Sequence, residues 1–162
     1  MAVSGDILEA YVAPRRVMAR KLSTGQREDR ALATLMGACV LIFVAQWPDL
    51  SRQAHLDPSI PLDARVGGAL LAWVMIAPLG LYVVAALLHL VTRVFRGYGT
   101  WYSSRLALFW SLLALSPLIL LRGLVVGFIG PSAALQVMSF LVVMGFLWLW
   151  GNAMIVAERG GE

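Results

Sequence analysis

Charge is the scarcest commodity in this sequence. Its 162 residues hold only 13 lysines and arginines and nine aspartates and glutamates, 14% in all, where a soluble domain averages about 25%. A water-exposed surface cannot be covered with so few. Disorder is excluded for the opposite reason, because hydrophobic residues make up 60% of the chain and disordered segments are poor in them. The single cysteine, Cys39, excludes a disulfide framework and a multi-cysteine metal site. Catalytic patterns are missing too: there is no C-x-x-C, H-E-x-x-H, Walker loop or G-x-S-x-G. Gly97-Tyr98-Gly99 is a lone G-x-G between two apolar runs and does not follow a strand. His55 has Asp57 nearby but no second histidine in its loop, so it lacks the partners for a metal. No cofactor, metal or catalytic residue is expected, and the protein is read as non-enzymatic.

What is present is oil, with a mean hydropathy of +0.79. The uncharged runs are Ala31–Pro48, Val66–Thr92, Leu106–Leu121 and Gly123–Ala157. About 20 apolar residues in a helix cross a hydrocarbon core of about 30 Å. The 35 residues of the last run are too many for one helix, and Gly130-Pro131 breaks them because proline disfavours helical geometry in the residue before it. Four spans are therefore expected near 31–48, 67–93, 106–129 and 132–157, the second kinked at Pro78. The runs lack the period-2 alternation of a barrel. The fold class is all-α: an integral membrane four-helix bundle, a single domain over 1–162, with an N-terminal amphipathic interfacial helix.

Basic residues set the expected orientation. Arg15, Arg16, Arg20, Lys21, Arg27 and Arg30 precede span one, Arg93, Arg96 and Arg105 flank the second loop, and Arg159 ends the chain. Arg52, Arg65 and Arg122 fall on the other side, diluted by Asp49, Asp57 and Asp63. Both termini are expected in the cytoplasm of a bacterium, with the spans in its inner membrane. No signal peptide is visible.

Residues 5–22 are too polar to span. Ile7, Leu8, Tyr11 and Val12 recur at helical spacing behind a capping Asp6, Pro14 interrupts, and a second short helix begins there. Its Val17, Met18 and Leu22 mix with Arg15, Arg16, Arg20 and Lys21, a composition suited to docking on anionic headgroups at about 1 kcal/mol per basic residue. The same charges would also simply enforce orientation. Ser23 to Gln26 fits a capping box opening the first span. Nucleic acid is not needed to explain a pI near 9.8.

Polar residues inside spans are functional candidates. Arg122 sits about 24 Å along its helix from Leu106, leaving it either a snorkelling anchor or a partner for Gln136, with Asp49 or Asp63 as countercharge. His89, Ser111 and Asn152 each lie about 6–9 Å inside the opposite interface. They fit one interhelical hydrogen-bond network, or, less simply, a proton or solute path. Gly123 and Gly127 form a G-x-x-x-G that marks either a homodimer face or close packing between spans three and four. Ser116-Pro117 suggests a bend. Trp47, Tyr98, Trp101 and Tyr102 suit interfacial belts, Trp148 and Trp150 could face lipid or a partner, and Cys39 is read as a packing residue.

The order of features resembles the Yip domain family, named for Ypt/Rab-interacting proteins, in its short bacterial form. The features are the proline-interrupted helix from Ile7 to Leu22, the charged turn Arg27–Arg30, and the loop Arg96–Arg105 (RGYGTWYSSR) ahead of a span carrying Ser116-Pro117. Family members are usually read with five spans; four are expected here, and the link to Rab GTPases is not carried over. The resemblance implies a multi-pass scaffold or accessory subunit that organises membrane proteins or lipids, with other membrane subunits or a second copy as partner. The competing reading is a small transport or lipid-handling protein using Arg122, Gln136, His89 and Asn152.

Overall fold

The computed structural model describes residues 3–94 and 98–159. It is all helix, with no strand among the described residues. Two short helices, α1 (Val3–Val12) and α2 (Pro14–Ser23), precede α3 (Glu28–Leu56). The next span is one continuous rod of α4 (Leu62–Leu70), a π-wound stretch Leu71–Ile76, and α5 (Ala77–Val94). Then come α6 (Trp101–Phe128) and α7 (Ala133–Arg159). Four helical segments are long and apolar enough to cross a membrane: Glu28–Leu56, Leu62–Val94, Trp101–Phe128 and Ala133–Glu158. The chain is a multi-pass membrane protein of the helical-bundle class. The first three spans are longer than the uncharged runs at their centres, because hydrogen-bonded helix continues past the charged residues that mark the interfaces, and the fourth takes only the part of its run beyond the Gly130-Pro131 break.

Prolines and glycines divide the chain as their chemistry requires. Pro14 occupies the first turn of α2, where its missing N–H costs nothing. Gly130, at φ +79°, turns the chain between α6 and α7. Pro78 acts one turn upstream of itself. It cannot donate to the carbonyl of Val74, and the ladder shifts to wider bonds there, with the Ala77 N–H reaching the Ala72 carbonyl. Pro117 lies inside α6, which continues through it.

The core is organised around α6, which touches α1, α3, α5 and α7. Its first half is buried almost all round, from Tyr102 through Ser116, whereas its second half keeps exposed faces at Leu121, Leu124 and Phe128. α3 presents Ala31, Leu35, Ala38, Ile42 and Ala45 to it, a stripe at helical spacing. α5 turns Pro78, Ala85 and His89 inward, with Tyr82 edge-on to Phe109 at 5.0 Å. Cys39 is fully buried in this core, as expected of a packing residue.

The G-x-x-x-G of α6 packs within the chain. A Cβ at Gly123 would collide with the Ala45 backbone, and one at Gly127 with Pro48. The two glycines let α6 approach α3, so they serve neither a homodimer face nor contact between the third and fourth spans. Residue spacing alone shows that a close neighbour exists, not which helix supplies it.

Candidate functional site

The N-terminal hairpin is the most distinctive site. α1 and α2 are amphipathic, as the sequence indicates, but tied firmly to the bundle: α1 packs on α6 and α2 on α7. Ala10, Val17 and Met18 are fully buried, and the small Ala10 allows α1 close to α6. The Tyr11 hydroxyl donates to the Ala114 carbonyl at 2.8 Å. Ala114 lies nine residues past Arg105, about 13 Å further along α6. The hairpin thus covers the side of α6 that would otherwise be bare, which explains why only its first half is enclosed. Leu8 and Val12 point outward, 72% and 87% exposed.

Charges hold the hairpin together. Asp6 does not cap α1, which begins at Val3; it sits within the helix, nearly buried, and pairs with Arg20 at 2.6 Å and Lys21 at 2.9 Å. Glu9 takes a second bond from Arg20 at 2.8 Å. Burial raises the Asp6 carboxyl, but Lys21 and Arg20 outweigh it and hold the group below its ordinary value of 3.8. Lys21 also lies over the Trp110 ring, 3.8 Å from its centroid. Arg15 donates to Asn152 Oδ1 at 2.7 Å. Of the four basic residues expected at headgroups, Arg15, Arg20 and Lys21 therefore have partners inside the protein, and Arg16 is exposed. Asp6, 14 and 15 residues before Arg20 and Lys21, competes for those two cations, a pairing that only the antiparallel packing of α1 on α2 creates. The proposed capping box also differs: Ser23 and Thr24 bond back to carbonyls of α2, and α3 begins behind Arg27 without a side-chain cap.

A groove of about 700 Å³ separates the hairpin from α3, with α6 as its floor. Arg20, Lys21, Thr24 and Arg30 form its polar end, and Gly37, Leu106 and Leu113 its apolar depth. Sequence reading missed it, because it is shared among four helices, α1, α2, α3 and α6, and has no local motif.

The expected layer of His89, Ser111 and Asn152 is not one network. His89 Nδ1 meets Ser104 Oγ at 3.1 Å, and Ser104 in turn donates to Glu158. Glu158 also accepts from the Gly99 N–H at 2.9 Å, while a true capping box of Thr100 and Ser103 opens α6. Ser111 bonds back to Ala107 within its own helix, and Asn152 serves Arg15. The three residues share neither a partner nor a level: His89 meets the first turn of α6, whereas Ser111 lies seven residues further along that helix and Asn152 six residues before Glu158 on α7. At the other end, Arg122 Nε donates to Ser139 at 2.9 Å rather than to Gln136, which is exposed. Ser139 lies one turn beyond Gln136 on α7, facing α6. Asp49 accepts from Gln53 instead of countering Arg122. In the loop after α3, Asp57 is held below its ordinary value by hydrogen bonds from Ser59, with Arg65 adding to them.

The aromatic residues divide. Trp47, Tyr98 and Trp101 are exposed as belts require, but Tyr102 is buried and lines the groove. Trp148 is 56% exposed, whereas Trp150 stacks on Phe146 with its indole N–H buried and without a partner among the described residues. Arg96, Gly97 and the side chain of Arg159 lie outside the described residues. No cluster of metal-ligating side chains occurs among the described residues. No family model, curated protein or solved structure matches the chain.

Proposed function

We propose that this chain is a non-enzymatic membrane organiser, a scaffold or accessory subunit, rather than a transporter. The carrying observation is the dry middle of the bundle. His89, Ser104 and Glu158 lie at one end and Arg122 with Ser139 at the other. Between them Leu35, Cys39, Phe109 and Ala114 are packed without exposure. A transport path needs a cavity joining the two polar ends, and the groove at the hairpin descends only part of the way. A rigid bundle of this kind is suited to holding a neighbour in place. The Yip-like order of features supports the same reading, as do the cationic ends, which favour cytoplasmic termini in a bacterial inner membrane.

The second span offers the surface for such a neighbour. Leu79, Val83, Leu87 and Leu90 form an outward stripe, each more than half exposed. A photo-crosslinking residue placed at Val83 or Leu87 and activated in native membranes should give a discrete adduct, identifiable by mass spectrometry as another subunit or a second copy. Free monomer at both positions would overturn the reading, as would solute flux through vesicles containing the purified chain.

A further inference from the structure

We propose that the groove between the hairpin and α3 is a binding site for an anionic phospholipid, with the phosphate at Arg30 and an acyl chain along Gly37, Leu106 and Leu113. This inference does not rest on the partner reading above.

The groove is built like an amphiphile. Its polar end gathers three cations, Arg20, Lys21 and Arg30, against one lining carboxylate, Asp6. Arg20 and Lys21 are committed to Asp6 and Glu9. Arg30 is different. Its guanidinium bonds only the neutral Thr24 hydroxyl, at 3.2 Å, and no ion pair engages it among the described residues. An arginine beside a hydroxyl, with no carboxylate to satisfy it, is a phosphate ligand in waiting, because guanidinium–phosphate bonds are charge-assisted and can be bidentate.

Depth fixes the class of ligand. Arg30 is in the first turn of α3 and Tyr102 in the first turn of α6, and the Arg105–Glu28 ion pair sets those two turns at one level. From there the groove descends past Leu106 to Leu113, eleven residues below Tyr102, or about 16 Å. That is about half of a 30 Å hydrocarbon core, the thickness of a single leaflet. A free phosphate would use only the rim and leave the apolar wall wet. A phospholipid fills both parts, and the volume lies within the usual range of about 300–1,000 Å³ for ligand pockets. The space beside Gly37 is open: a Cβ there would meet only the tip of Leu113, at 3.6 Å, an ordinary contact.

The test uses the full chain purified in a mild detergent, titrated with lipid and read by native mass spectrometry. Phosphatidylglycerol should bind about tenfold more tightly than phosphatidylcholine with the same acyl chains, because both present the phosphate but the choline cation of the second is repelled by the cluster of Arg20, Lys21 and Arg30. Arg30→Ala should erase that preference, and Arg30→Lys should keep most of it. Gly37→Phe should weaken both lipids by filling the apolar part. Ala33→Leu, on the same exposed wall, is the second blocking variant should Gly37→Phe not fold. Equal Kd values for the two lipids, unchanged binding in Arg30→Ala, or unchanged binding in the blocking variant would each overturn the proposal. So would sn-glycerol 3-phosphate binding as tightly as the intact lipid, since the ligand would then be a free phosphate.

Discussion

Single residues carry more of this fold than its oily composition suggests. Gly123 stands where α3 and α6 touch, and any side chain there meets the Ala45 carbonyl, which cannot move without disturbing the helix. Gly145 is a milder case, because its nearest neighbours are the flexible tips of Leu115 and Leu118, at 3.2 and 3.3 Å. Gly123→Ala should therefore destabilise the bundle by about 1–3 kcal/mol, and Gly145→Ala by much less, a contrast readable as two thermal midpoints in the same detergent. Asp6 gives a pH dependence with a definite sign. Its folded carboxyl is held below the ordinary value of 3.8, so its contribution is complete above that value and is lost as pH falls through the lower, folded one. The thermal midpoints of wild type and Asp6→Asn should differ by a constant amount from pH 7 to pH 5. That difference should begin to shrink below about pH 4, and a gap still undiminished at pH 3 would show that Asp6 does not act as a carboxylate.

At the scale of the element, the α1–α2 hairpin behaves as a wedge beside half of α6. Its hold is partly polar, through Tyr11 to Ala114 and Arg15 to Asn152. Tyr11→Phe removes one buried-side hydrogen bond, worth about 1 kcal/mol, and leaves the Ala114 carbonyl without that donor. Trypsin cleavage at Arg15, Arg16 and Arg20 should then run about fivefold faster if it samples the opened hairpin, while cleavage at Arg65, in the first turn of α4, stays unchanged. The hairpin also marks where the sequence stops being legible. The spans can be read from uncharged runs, and Pro14 and Gly130 announce their own breaks, because these signals are local. The pairing of Asp6 with Lys21, of Arg122 with Ser139 rather than Gln136, and of Gly123 with Ala45 depends on helix rotation and on which helices are neighbours. Nothing in a hydropathy profile records either, and Ser139 in particular has no feature that separates it from any other lipid-depth serine. The groove is hidden for the same reason, with Arg30 on its rim looking in sequence like one more orienting charge.

For the whole molecule, the contacts at one end of the bundle constrain the topology. Arg105 pairs with Glu28, and Glu158 accepts from Gly99 and Ser104, so the start of α3, the start of α6 and the end of α7 share one level. An even number of crossings is the arrangement that brings the two ends of the chain to the same face. The hairpin leaves this count unchanged, because Tyr11 reaches Ala114 and α2 then returns to the level of Thr24 and Arg30. The opposite end carries Arg52 against Gly130 and the Asp57–Arg65 pair, a mixed-charge surface with little net sign. Lysines and arginines are concentrated at the first end, which under the positive-inside rule would face the cytoplasm, the orientation proposed above. Reporter fusions should consequently show both termini inside and the loop between α3 and α4 outside. Moving the charge balance of that loop and the first turn of α4 with Asp57→Arg and Asp63→Arg should lower the fraction of correctly inserted chains without changing the helix count. A terminus found outside would require either an unpaired crossing or an inverted bundle. In the inverted case the groove beside Arg30 would open to the outer leaflet, so phosphatidylglycerol delivered to that leaflet alone would reach it.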